Sequence, residues 1–279
     1  MKEYENWLMQ PKPKTLYHYT NPEAFLGIIQ KKCLWASNIF FQNDTSEICY
    51  SFNLLKNEMK RSENRHPELI KCNYELNKIL GLENIYKDEN IYTVSFSTKK
   101  DDLNQFRSYG QSSIEFAIEK LLDHIEKVSK NNLNDKKYDF ILVKCIYEKE
   151  KQIRIIQEII EDIVERKYSD TTDILLHIMH RMVLFAPLFK SKAFSEEDEW
   201  RLIIRNVNDN ENIKERVGKS YFIPYYILSF VDQECFGDFI LGPCCNQNIM
   251  KYSIEKVCLN NGIDLLKREI ILSSIPFRV

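Results

Sequence analysis

The sequence predicts an α+β fold of mainly antiparallel, twisted sheets with flanking helices, and three observations carry that prediction. Short runs rich in β-branched and aromatic residues recur from one end of the chain to the other, as half-buried strands require. Amphipathic or capped helical segments separate them. A helical pair spanning 148–190 then interrupts the strands without flanking linker composition, so it reads as an insertion or lid within a single α+β domain covering 1–279.

In chain order, Leu16–Thr20 is a strand, and Asn21-Pro22-Glu23 supplies an N-cap, a first-turn proline and an acid for a helix to about Lys32. Leu34–Ser37 is the next strand. Asn43–Glu47 opens a helix with Ile48, Phe52, Leu55 and Met59 on one stripe, where Asp44 and Glu47 have capping spacing. Another helix follows from Pro67 to Leu80, closed at Gly81, and then the strand Ile91–Ser97. Gln105–Gly110 is a helical turn stopped by glycine, Ile114–Ile118 alternates as a strand, a helix runs to about Lys130, and 131–135 is loop. Tyr138–Tyr147 is a strand.

The helical pair has Ile153, Ile156, Ile159, Ile160, Ile163 and Val164 on one face, followed by a nearly all-round apolar helix from Thr172 to Ala186. Strands resume at Tyr221–Tyr225 and Phe239–Pro243. A helix from Gln247 closes at Asn261-Gly262, and Ile270–Ser274 completes the sheet.

With 279 residues and 44% hydrophobic content, the chain can bury a core without disulfides or metals. A net charge of −2 gives no general attraction to nucleic acid or anionic membrane. The charged start Met1–Trp7 has no signal-peptide apolar stretch and no later run spans a bilayer, so the expected location is the cytoplasm, away from membranes. The eight cysteines show no zinc or redox spacing and read as reduced thiols, with Cys244-Cys245 in a loop after Gly242-Pro243. His177, His180 and Arg181 share a helix face without a third ligand, so no metal site is predicted there. The sequence sets no oligomeric state.

The densest acidic run, Glu196-Glu197-Asp198-Glu199, enters the strand-forming Trp200–Arg205. Strand alternation sets Glu197, Glu199 and Arg201 on one side, with Trp200 and Leu202 on the buried side, where Trp200 anchors the edge. The plain alternative is a solvated acidic turn, with Arg201 as a structural partner of Glu199.

Tyr17-His18-Tyr19-Thr20, Asn43-Asp44 with Glu47, Ser95-Phe96-Ser97, Tyr109-Gly110, Glu197–Arg201, Leu241-Gly242-Pro243 and Ser274–Arg278 together resemble the bacterial family known as domain of unknown function 2971. Phe106 stands where that pattern has tryptophan, and the helical pair lies outside it. More remotely, His18, Ser95-Phe96-Ser97 and Glu197-Asp198-Glu199 resemble, in type and order, the motifs of ADP-ribosyltransferases.

That second resemblance implies NAD as the substrate and a carboxylate beside the ribose, because breaking the nicotinamide–ribose bond develops positive charge on the sugar. It assigns Glu199 to the ribose 2′-hydroxyl and the oxocarbenium face, Glu197 to the acceptor nucleophile and His18 to the adenosine ribose. Ser95 or Ser97 supports Glu199. Tyr19 or Tyr109 stacks on nicotinamide, Thr20 belongs to the same NAD-binding strand, and Arg201 or Arg278 meets the pyrophosphate. The acceptor is protein, nucleic acid or water, and a toxin or antiphage role suits such chemistry. Two other functions stay open: a metal-dependent nuclease or phosphodiesterase built on Asp44, Glu47, Glu197, Glu199 and His18, and a non-catalytic binding or sensor module.

Overall fold

A computed structural model describes residues 2–41, 45–79, 91–132, 135–136, 138–166, 168, 170–207, 210–218, 220–230 and 232–276. It is mixed α+β with a mostly antiparallel sheet, as expected. The chain divides into two compact units: Met1–Pro11, Asn38–Ile91 and Val143–Glu196 make the first, and Lys12–Ser37, Tyr92–Leu142 and Glu197–Val279 the second. Among the described residues no helix is long and apolar enough to cross a membrane.

The first unit is helical, built from Glu3–Leu8, Thr45–Ser62, Leu69–Ile79, Lys149–Glu165 and Thr171–Phe185. Of the stripe foreseen, Ile156, Ile159, Ile160 and Ile163 are buried, whereas Ile153 and Val164 are half-buried and Ile155 faces the core in their place. Among them the fully buried Gln152 is satisfied on both sides. Its Nε2 donates to the carbonyls of Ile146 (2.5 Å) and Lys190 (2.9 Å), and its Oε1 accepts from the Tyr50 hydroxyl (2.7 Å). The helices foreseen as an insertion at 148–190 thus pack with Thr45–Ser62 and Leu69–Ile79 in this unit.

The second unit carries the sheet. The strands are β1 (Thr15–Thr20), β2 (Cys33–Asn38, its last residue counted in the first unit), β3 (Tyr92–Ser97), β4 (Ser112–Ala117), β5 (Lys130–Asn132), β6 (Asp135–Lys136), β7 (Asp139–Lys144, its last two residues counted in the first unit), β8 (Glu199–Arg205), β9 (Ile213–Val217), β10 (Phe222–Ser229), β11 (Phe236–Leu241) and β12 (Ile270–Leu272). The main path runs β12-β11-β4-β1-β3-β2-β10-β9, and β8 joins β3 to β7. β11 and β12 pair in parallel, whereas β1–β3, β1–β4, β2–β10, β9–β10, β4–β11, β3–β8 and β5–β6 pair antiparallel.

Three strand expectations need correction. The stretch expected as loop at 131–135 contains the small hairpin β5-β6, whose Asn- and Lys-rich composition carries no strand period. β7 ends at Lys144 rather than at Tyr147. β9, with Lys214, Glu215 and Arg216 at its centre, has no sequence signal of its own and is held by pairing with β10 from Phe222↔Val217 to Tyr226↔Ile213.

Aromatic rings dominate the core of this unit. Phe116 is fully buried and meets Phe96, Phe230 and Phe236 at centroid distances of 5.7, 5.6 and 5.5 Å. Trp200 and Leu202 join the same core from β8, on the side assigned to them by strand alternation.

The sheet is uneven at its middle. β1 pairs with β4 from Thr15↔Ala117 to Thr20↔Ser112, and β3 pairs with β8 from Tyr92↔Ile204 to Ser97↔Glu199. Between β1 and β3 the register is a single pairing, Tyr17↔Ser97. Beyond it the two strands separate, and the candidate site lies in that opening.

Candidate active site

One pocket is lined by Tyr17, His18 and Tyr19 of β1, Ser95, Phe96 and Ser97 of β3, Gln105 and Tyr109 of the helix Leu103–Tyr109, and Glu197 and Glu199 at the start of β8. All ten belong to the second unit. The pocket therefore gathers His18, Tyr19, Ser95, Ser97, Tyr109, Glu197 and Glu199 from four separate parts of the sequence.

His18 bridges the opening. Its Nδ1 lies 2.9 Å from the carbonyl oxygen of Ser95. A carbonyl only accepts, so Nδ1 carries the proton, and in the neutral ring Nε2 holds a lone pair. The residue is half-buried, and desolvation by its surroundings pushes its pKa below the ordinary histidine range, while the Ser95 bond acts in the opposite direction. His18 is thus a neutral acceptor, and among the described residues neither its Nε2 nor the Ser95 hydroxyl has a hydrogen-bond partner.

The acidic run is shaped by one backbone feature. Lys192–Glu197 is a 3-10 turn, Asp198 has φ +43°, and β8 begins only at Glu199. The left-handed residue is the turn, and Asp is one of the few side chains that adopts it readily. Thr98 fixes it: its N–H donates to the Asp198 carbonyl at 3.3 Å, and its hydroxyl bonds the Asp198 carboxylate. Glu197 therefore reaches the pocket from the turn rather than from strand alternation. Its carbonyl accepts from the Ser97 hydroxyl at 2.6 Å, and its carboxylate from the Tyr109 hydroxyl at 3.3 Å.

Glu199 is 4% exposed and Arg201 3%. Arg201 Nε donates to Glu199 Oε1 at 2.7 Å and Nη2 to Oε2 at 3.1 Å, a two-pronged, charge-assisted pair. Arg201 does not line the pocket, so the role foreseen for it on a pyrophosphate is replaced by one behind Glu199. Ser97 likewise bonds the Glu197 carbonyl and the Lys99 N–H (3.1 Å), not the Glu199 carboxylate.

Tyr19 is less available for stacking than the sequence suggests. It is 7% exposed, packs edge-on against Phe106 at 5.0 Å, donates its hydroxyl to the Lys99 carbonyl (2.7 Å) and accepts from the Asp102 N–H (3.1 Å). Burial pushes its phenol pKa strongly upward. Tyr109, 45% exposed, is the open aromatic at this site. Thr20 is buried at the end of β1 and is not part of the lining.

Arg278 and Asp44, and the side chain of Glu47, lie outside the described residues. Among the described residues no three His, Cys, Asp or Glu side chains are grouped so as to hold a metal ion. Tyr17, Phe96 and Gln105 line the pocket without having been singled out; the first two lie inside motifs already quoted, whereas Gln105 had no signal beyond its place one residue before Phe106.

Residues 105–202 match the model of a family described as protein of unknown function (DUF2971). The DUF2971 match takes in Gln105, Tyr109, Glu197, Glu199 and Arg201 and crosses the helices at 148–190; His18, Ser95 and Ser97 precede it. No curated protein and no solved structure matches the chain.

Proposed function

We propose that the chain is an NAD-cleaving enzyme that breaks the nicotinamide–ribose bond and passes ADP-ribose to water or to a protein or nucleic-acid acceptor. The observation that carries this reading is the composition of one pocket: a neutral histidine, two carboxylates of unlike surroundings, and the aromatic residues Tyr17 and Tyr109. Aromatic faces with nearby carboxylates suit a planar cation, and the pyridinium of NAD is one.

The two carboxylates divide the work. Glu199, clamped by Arg201, is a fixed acceptor for a ribose hydroxyl and a negative group beside the sugar. Arg201 occupies both carboxylate oxygens and holds the group in place, which favours electrostatic stabilisation over proton abstraction. As the C1′–N bond breaks, its electron pair goes to the ring nitrogen, nicotinamide leaves neutral, and positive charge develops on the ribosyl carbon. Glu197, held at the turn by Tyr109, receives the proton of the water or acceptor nucleophile that closes on that carbon. His18 Nε2 accepts from a ribose hydroxyl, which requires the neutral ring the burial supplies.

The test is release of nicotinamide from NAD by the purified full chain, with and without protein and nucleic-acid acceptors. Glu199→Gln is expected to lower the rate by about 100- to 1,000-fold, the usual loss on removing a charge-stabilising group. No release by the wild type with any acceptor, together with Mg²⁺-dependent cleavage of DNA or RNA, overturns the proposal in favour of a nuclease.

A further inference from the structure

Gln105 is the pocket residue with no role so far. It is 6% exposed and lines the pocket, and among the described residues its carboxamide has no hydrogen-bond partner. Its backbone N–H donates to Asp102 Oδ1 at 3.0 Å. The residue is 6% exposed yet its unpaired carboxamide is not sealed from solvent, so its donors and acceptor are open to a ligand that enters the pocket.

The position is also rigid. Asp102 caps the helix Leu103–Tyr109, and the Tyr19 hydroxyl ties the Asp102 N–H and the Lys99 carbonyl to β1. Phe106, the next residue, is seated on Tyr19 and lies so close to Gly242 that a Cβ there would come within 2.6 Å of the ring. Gly110, φ +128°, ends the helix against the backbone of Thr20 and Asn21, where a Cβ would stand 2.4 Å from Asn21 N. A side chain on such an element is held in one geometry, as recognition requires.

We propose that Gln105 is the specificity residue of this pocket and that it reads a primary carboxamide on the ligand's aromatic ring. The inference rests on the NAD-cleavage reading above. A glutamine amide offers both donors and an acceptor, and the planar group that uses both kinds at once is another primary amide. A ring carboxylate accepts only, and it sets a negative charge against Gln105 Oε1. The pocket therefore takes pyridinium carboxamides and rejects their acid analogues.

The experiment measures equilibrium binding of nicotinamide and of nicotinic acid to the full chain by calorimetry, in the wild type, Gln105→Met and Gln105→Glu, alongside NAD cleavage. The wild type is expected to prefer nicotinamide by about tenfold or more, the value of one good hydrogen bond between matched groups. Gln105→Met abolishes the preference. Gln105→Glu, keeping an acceptor for the amide N–H, retains part of the nicotinamide binding and excludes nicotinic acid. Equal binding of the two ligands by the wild type, or no binding of nicotinamide, overturns the inference without any variant having to fold. Cleavage of NAD with KM unchanged in Gln105→Met removes the role of Gln105 and leaves the cleavage reading standing. A Gln105-dependent preference without NAD cleavage supports the carboxamide reader and sinks the cleavage reading.

Discussion

Arg201 and Glu199, two residues apart on β8, form a two-pronged ion pair in which both side chains are almost sealed from solvent. Burial on this scale makes the pair asymmetric in its effects. The attraction between the partners is offset by the cost of stripping water from both, so the intact pair adds little net stability, while removing one partner leaves a buried charge with its main counter-ion gone.

Arg201→Met is therefore expected to lower stability by about 3–5 kcal/mol, whereas the double variant Glu199→Gln with Arg201→Met loses less than Arg201→Met alone. Urea midpoints of the singles and the double check this. Additive losses would show that the two side chains act independently. Arg201→Lys keeps a charge but not the fork, so it separates positioning from charge: a rate loss with little change in KM for NAD is the expected outcome.

His18 gives stability a pH dependence of definite sign. Desolvation holds its folded pKa below the unfolded value of about 6.5, so the unfolded chain takes up a proton that the folded chain resists. The contribution is complete above about pH 6.5 and is lost as pH falls from there toward the folded pKa, at up to about 1.4 kcal/mol per pH unit. Unfolding midpoints between pH 5 and pH 7.5 should therefore drop more steeply on acidification for the wild type than for His18→Gln. Parallel profiles for the two would remove His18 from that role.

His18 and the Glu199–Arg201 pair were legible in the sequence to different degrees. The turn into β8 and the burial of Trp200 follow from the acidic run and strand alternation, and the pocket brings together His18, Glu197 and Glu199, which motif order had grouped. The register Tyr17↔Ser97 was not legible, because pairing across many intervening residues is set by tertiary packing. That rung decides where the sheet opens. The choice of Arg201 between ligand and Glu199 was equally hidden: both readings place it on the same face, and only burial separates them. β9 escaped for a simpler reason, since a strand whose middle is Lys-Glu-Arg has no apolar alternation to detect.

Gly242 ties the packing of the sheet to the site. A methyl group there would come within 2.6 Å of the Phe106 ring, which also packs edge-on against Tyr19 and follows Gln105 in sequence. Gly242→Ala is expected to cost about 1–3 kcal/mol as overpacking and to shift the helix Leu103–Tyr109. The reading that links it to the pocket is a weaker nicotinamide affinity in a variant that still folds. Unchanged affinity with reduced stability would confine Gly242 to packing.

The cysteines should sort by burial alone. Cys245 is exposed, Cys49 and Cys244 are half-buried, and Cys33, Cys72, Cys145, Cys235 and Cys258 are buried. Burial pushes Cys235 and Cys258 up to about 12, which leaves almost no thiolate at neutral pH. Since the thiolate is the reacting species, a disulfide reagent at pH 8 should modify Cys245 in a fast phase and reach Cys235 and Cys258 only once denaturant opens the core. Cys245→Ser should remove that fast phase while leaving nicotinamide release unchanged, because the residue is not among those lining the pocket. A fast phase that survives the substitution and maps to Cys33, Cys72, Cys145, Cys235 or Cys258 rather than to the half-buried Cys49 or Cys244 would mean that a buried thiol is reached through local opening.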